Sequence, residues 1–143
     1  MTRRGLAAGA VCLLLGGGVA CGVASAGQPS TGQPEIRTIE ITMRHSRFEP
    51  GEIMVDRGAT VRFVVRNLDP IDHEFIVGDE VVQQVHERGT EAHHPPKPGE
   101  MSVPAGGTAV TTYVMPEGAG GLMIGCHLPG HWAYGMRTEV QVR

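Results

Sequence analysis

Apolar and polar residues alternate through most of this chain after Glu35. Ile39, Ile41 and Met43 are separated by Glu40 and Thr42; Val61, Phe63 and Val65 by Arg62 and Val64; His73, Phe75 and Val77 share one parity. A period of two sends alternate side chains to opposite faces of an extended backbone, so each run is a strand with one face turned to a core. Shorter runs repeat the pattern at Ile53 and Val55, Met101 to Val103, Ala109 to Val114, Leu122 to Cys126 and Met136 to Val142. Between them stand turn formers such as Pro50-Gly51, Asp56-Arg57-Gly58 and Pro104-Ala105-Gly106-Gly107. With 21 glycines and 10 prolines in 143 residues, turns are too frequent for long helices. Seven or eight short strands at this spacing predict an all-β fold, an antiparallel Greek-key β-sandwich.

Two stretches break the rhythm. Val81, Val82 and Val85 have i, i+1, i+4 spacing, which suggests a helical excursion or an irregular loop between Asp79 and Arg88. Pro95, Pro96 and Pro98 exclude a central strand between Thr90 and Gly99.

The start of the chain has a different character. Arg3 and Arg4 precede an uncharged run from Leu6 to Ala26, apolar at its centre and followed by small residues. That order describes an export segment over residues 1–26. Its strongly apolar part is shorter than the ~20 residues a membrane-spanning helix needs. Two processing routes remain open: cleavage after Ala24-Ser25-Ala26, or lipidation of Cys21 in the lipobox-like Gly18-Val19-Ala20-Cys21, which would anchor the chain to a membrane. Residues 27–34, rich in Gly, Pro, Gln and Ser, form a flexible linker, and residues 35–143 the folded domain. The net charge of −3 becomes −5 once Arg3 and Arg4 are removed, which gives no reason to expect nucleic acid as a partner.

Three cysteines, Cys12, Cys21 and Cys126, cannot all enter a disulfide framework. Only Cys126 lies in the folded domain, and its surroundings are unusual: Cys126, His131 and Met136 form C-x4-H-x4-M. Thiolate, imidazole and thioether are soft or borderline ligands that suit copper, and a second imidazole would complete a trigonal His2Cys site with a weak axial Met. His73, 53 residues before Cys126, is the choice for that imidazole. Pro129 and Gly130 let the loop fold back so that its ligands can converge. Zinc would take the cysteine and histidines, but a thioether is not among its usual ligands. A catalytic Cys–His pair needs neither the spaced methionine nor the second histidine.

The region from Glu35 to Arg143 resembles the cupredoxins, the small blue-copper proteins. The C-x4-H-x4-M loop is similar to the ligand loops of plantacyanins and rusticyanin, and His73-Glu74-Phe75-Ile76-Val77-Gly78 resembles small exported bacterial cupredoxins, some of them linked to copper resistance. The resemblance implies one copper ion cycling between Cu(I) and Cu(II), with His73, Cys126 and His131 as strong ligands and Met136 as the axial one. Many cupredoxins have Asn after the first histidine to brace the cysteine loop; here the residue is Glu74. The function implied is an exported, monomeric type 1 copper protein carrying single electrons to a transient redox partner. The alternative is a copper-sequestering or delivery protein at the cell surface or in the periplasm. An enzyme is not expected, because a multicopper centre needs further histidine pairs that this chain does not offer.

The remaining histidines and methionines take ordinary readings. His127 is expected at the surface or in support of the site, and His45 at the surface. His86, His93 and His94 belong to a solvated loop, with a second, looser copper site as the sharper alternative. Met43, Met54, Met101, Met115 and Met123 are assigned to the core. The edge of the His131 ring is expected to emerge among Leu128, Pro129, Trp132 and Ala133, where a partner would dock.

Overall fold

A computed structural model describes residues 35–89, 97–118 and 120–143. The export segment, the linker, His93 and His94 lie outside the described residues.

Among the described residues there are nine strands, eight of them on the alternating runs: β1 Ile36–Met43, β2 Phe48–Glu49, β3 Glu52–Val55, β4 Thr60–Asn67, β5 His73–Gly78, β6 Glu100–Val103, β7 Thr108–Val114, β8 Gly121–Gly125 and β9 Arg137–Val142. One sheet has the order β2-β1-β4-β7 and the other β3-β9-β8-β5-β6. The expected sandwich is therefore present, with nine strands where seven or eight were predicted, because the chain changes sheet between the short strands β2 and β3 at Pro50-Gly51. It is also not wholly antiparallel: β1 runs parallel to β4, and β3 parallel to β9. Side-chain alternation reports which face is buried and carries nothing about a neighbour's direction. Crossing between sheets makes neighbours of strands that are far apart in sequence.

The core lies between the sheets, and the predicted parities fill it. Ile41, Met43, Val61, Phe63, Val65, Phe75, Val77, Ile124 and Val140 are buried. Phe75 of β5 is its centre, 5.2 Å from the Phe63 ring and edge-on to Phe48 at 6.1 Å, both on the opposite sheet. Met43, Met101 and Met115 are core residues as expected, but Met54 is 49% exposed and Met123 is only partly buried. Met54 alternates with the buried Ile53 and Val55 on β3 and points to solvent.

The excursion after β5 is a helix, α1 Glu80–Arg88. Asp79 caps it by accepting the Val82 N–H at 3.0 Å, Glu80 stands in the first turn and Arg88 in the last, all favourable to the helix dipole. Gly78 allows the sharp entry, since a Cβ there would lie 2.4 Å from the Val82 Cβ. The helix packs on β5 and β8, so β5 is buried on both faces along its whole length. No helix among the described residues is long and apolar enough to cross a membrane.

Candidate metal centre

Antiparallel pairing of β5 with β8 brings the distant ligands together. Ile76 faces Gly125, so the start of β5 runs alongside the residues that follow β8. His73 opens β5, and Cys126 is the first residue past β8. The loop from Cys126 to Met136 then folds on its own backbone. The Cys126 N–H donates to the Met136 carbonyl at 3.2 Å, the Met136 N–H to the His131 carbonyl at 2.9 Å, and the His131 N–H to the Leu128 carbonyl at 2.9 Å. Gly130 and Gly135 turn the loop with φ of +86° and +88°, a region closed to most side chains.

Three donor atoms converge. The His131 Nδ1 is 3.1 Å from the Cys126 Sγ and 3.2 Å from the His73 Nδ1, and the Sγ is 3.9 Å from the His73 Nδ1. The point equidistant from all three falls inside the triangle, about 2.0 Å from each, which is the length of a bond from a metal to imidazole nitrogen. His73 and Cys126 are buried and His131 is half-exposed. Met136, the fourth residue of the predicted set, is fully buried at the end of the same loop.

Asp69 directs the His73 ring. Its Oδ2 accepts the His73 Nε2–H at 2.9 Å, which leaves the Nδ1 lone pair facing the triangle. The same carboxylate accepts the main-chain N–H groups of His45 at 2.7 Å and Ser46 at 2.8 Å. Both of these residues have φ of +52°, so the turn wraps around Asp69. Burial pushes the Asp69 carboxyl up, but hydrogen bonds from Ser46, His73 and His45 outweigh it and hold it below the usual carboxylate range. Burial, joined by the nearby His73, lowers His131, which keeps its imidazole neutral and able to ligate at neutral pH.

A donor set of one thiolate and two imidazoles on a rigid sandwich fits copper, and the comparisons with known proteins agree. The description "Cupredoxin-like domain" matches residues 13–103, a span that holds His73 and ends before the cysteine loop. The chain belongs to the cupredoxin family. Its relatives include the "Copper-resistant cuproprotein CopI" of Rubrivivax gelatinosus, 34% identical over 82% of this chain and 73% of that one. The protein of the same description from Pseudomonas aeruginosa is 26% identical over 82% of both. The fold is similar to auracyanin from Roseiflexus castenholzii, with a TM-score of 0.62 and 22% identity over 74% of this chain and 96% of that one. It is also similar to auracyanin A, described as a "blue" copper protein from Chloroflexus aurantiacus, with a TM-score of 0.59 and 24% identity over 76% of this chain and all of that one.

In this cupredoxin the residue after the first histidine still braces the cysteine loop. The Glu74 Oε2 accepts the His127 N–H at 3.1 Å, and the Glu74 N–H points at the Cys126 Sγ at 3.3 Å. Burial, more than the nearby Glu74 charge, pushes the Cys126 thiol up to about 11, against the hydrogen bonds from the Glu74 and Leu128 main chain. A buried thiol held neutral in this way is a poor nucleophile, and binding a metal would displace its proton. The Cys126–His131 contact therefore fits a metal ligand pair better than a catalytic one.

Two histidine expectations need correcting. His127 is buried and not a surface residue: its Nε2 meets the Gln83 Oε1 at 2.7 Å, its Nδ1 the Glu87 Oε2 at 3.0 Å, and its ring stacks on Trp132 at 4.7 Å. The reading of His127 as a support for the site agrees with these contacts. His86 is not in a solvated loop. It is buried on α1, with its Nδ1 2.8 Å from the Val82 carbonyl and its Nε2 3.5 Å from the Glu100 Oε2. Trp132 likewise turns toward His127 instead of joining the rim around His131, while Pro129, Ala133 and Tyr134 are exposed. His45 is at the surface as expected.

Asp69 was not among the sequence-based candidates, and the only signal for it was an acidic residue four positions before His73. Replacing Asp69 with Ala frees the His73 ring to rotate and removes the acceptor that selects its tautomer. Copper affinity is expected to fall by roughly 10–100-fold, the usual cost of losing an outer-shell partner, measured by competition with a chromophoric chelator.

Proposed function

We propose that this protein is an exported type 1 copper protein that binds one copper ion through His73, Cys126 and His131, with Met136 as the axial ligand. Its work in this reading is to carry single electrons. The convergence of the three donors on one point at metal-ligand distance carries the proposal. Bound copper would supply one-electron exchange between Cu(I) and Cu(II). The protein's part is to hold one compromise geometry for both states: the loop is closed by its own main-chain hydrogen bonds, His73 is held by Asp69, and Cys126 is fixed behind the Glu74 N–H. His131 is the only one of the three donors that is not buried, so its ring is the route to a transient redox partner. Export rests on the pattern of residues 1–26, with Cys21 as the lipid anchor or Ala26 as the cleavage point. We read the protein as a monomer with no catalytic reaction of its own.

A second reading, copper sequestration or delivery in metal defence, is favoured by the two relatives, both named as copper-resistant cuproproteins. Metal stoichiometry and voltammetry separate the two. A carrier takes up one copper per chain and gives a reversible one-electron wave. Extra copper that is lost when His93 and His94 are replaced by Ala would support sequestration and count against a simple carrier.

A further inference from the structure

Helix α1 packs with its polar side inward. Gln83 is only 2% exposed, whereas Val81 and Val85 are 67% and 61% exposed. The Gln83 amide nitrogen donates to the carbonyls of Ile76 at 3.2 Å, Met123 at 3.0 Å and Gly78 at 3.4 Å, and so ties β5 to β8. Three carbonyls around the nitrogen settle which way the amide faces, and its oxygen accepts from the His127 Nε2 at 2.7 Å. Gly125 leaves room for this arrangement: a Cβ there would lie 2.7 Å from the Gln83 Oε1 and 2.5 Å from the Trp132 ring. Burying a primary amide is costly unless its hydrogen bonds are made, and a valine turned inward would bury apolar area without that cost. What the amide adds is direction.

That direction leads to the copper thiolate. The His127 N–H binds the Glu74 carboxylate, and the Glu74 N–H points at the Cys126 sulfur. Resting on the copper reading above, we propose that Gln83 is a positioning residue of the metal centre. Through the His127 ring it fixes the Cys126–His127 peptide, and with it the N–H···S contact at the thiolate. Hydrogen bonding around the cysteine sulfur is a lever on the reduction potential of such sites.

The test uses the full chain with and without copper. Gln83→Met keeps the volume and removes the hydrogen bonds; Gln83→Glu keeps an acceptor for His127 but loses the donors; His127→Phe keeps the stack on Trp132. Gln83→Met and His127→Phe are each expected to move the thiolate-to-copper band and the reduction potential in the same direction. The double variant should move them no further than the larger single change, because both cut one link. Gln83→Glu should return both readings toward the parent values while its thermal stability stays as low as that of Gln83→Met. Additive shifts, or shifts that merely follow the loss of stability, overturn the proposal. If Gln83→Glu does not fold, the comparison of the other two variants decides. Without copper, the amide NMR signals of Cys126 and His127 should move in Gln83→Met, and unmoved signals overturn the brace. A parent chain with no thiolate-to-copper band overturns the copper reading itself, whatever the metal-free spectra show.

Discussion

Cys126→Ser is expected to abolish the intense visible band of the copper-loaded protein while the domain remains folded. The band requires a thiolate sulfur bound to the metal, and a serine hydroxyl is a hard oxygen that stays protonated in a buried site. Cys126 is fully buried, and serine is slightly smaller, so the fold is asked to accept one polar group. That group has a donor beside it in the Glu74 N–H, which limits the destabilisation to about 1–2 kcal/mol. Cys12→Ser and Cys21→Ser leave the band intact, because both residues precede the domain that holds the ligands. Absorption spectra of the three variants at matched copper loading, with circular dichroism to follow the fold, check this. A band that survives in Cys126→Ser would remove the thiolate from the site and sink the proposed function.

Phe75→Ala is expected to have the largest effect on stability. Phe75 is fully buried between the sheets, against Phe63 at 5.2 Å and Phe48 at 6.1 Å. Truncating such a ring costs about 3–5 kcal/mol, from lost burial and from the cavity left behind. Small domains are stable by only ~5–15 kcal/mol, so the change removes a large part of the total. For a domain of this size the melting temperature should fall by roughly 10–30 °C, read by calorimetry on the metal-free protein. Phe75 is two residues from His73 on β5, so the same variant should bind copper more weakly, through a strand that no longer seats firmly. A fall of only a few degrees would mean that the aromatic cluster is not the centre of the core.

Much of this was legible in the residues. Alternation marked nearly every strand and chose the buried face correctly at Ile41, Phe63, Phe75, Ile124 and Val140. Met54 shows the limit of reading a residue by type: on β3 its parity, and not its hydrophobicity, decides where it points. The spacing of Cys126, His131 and Met136 made the candidate loop visible, and the Cys126 and His131 donors in it do converge with His73.

The strand partners, the supports of the site and the fate of the lone histidines were not legible. The parallel pairing of β1 with β4 follows from where the chain changes sheets, which periodicity does not record. Asp69, Glu74 and Gln83 act through hydrogen bonds whose geometry depends on strand register and on the packing of α1. Chemical type alone made His86 look like a solvent-facing side chain and left His127 open between surface and support, yet His86 turns inward on α1, and α1 and Trp132 enclose His127. The sequence by itself determined most of the strands, the core face and the C-x4-H-x4-M loop, because these depend on side chains that are near neighbours along the chain. Only the tertiary structure decided how His73 meets Cys126 and what holds both in place. The contacts from His73 and Glu74 to Cys126 join residues more than fifty positions apart, and nothing local encodes their distance.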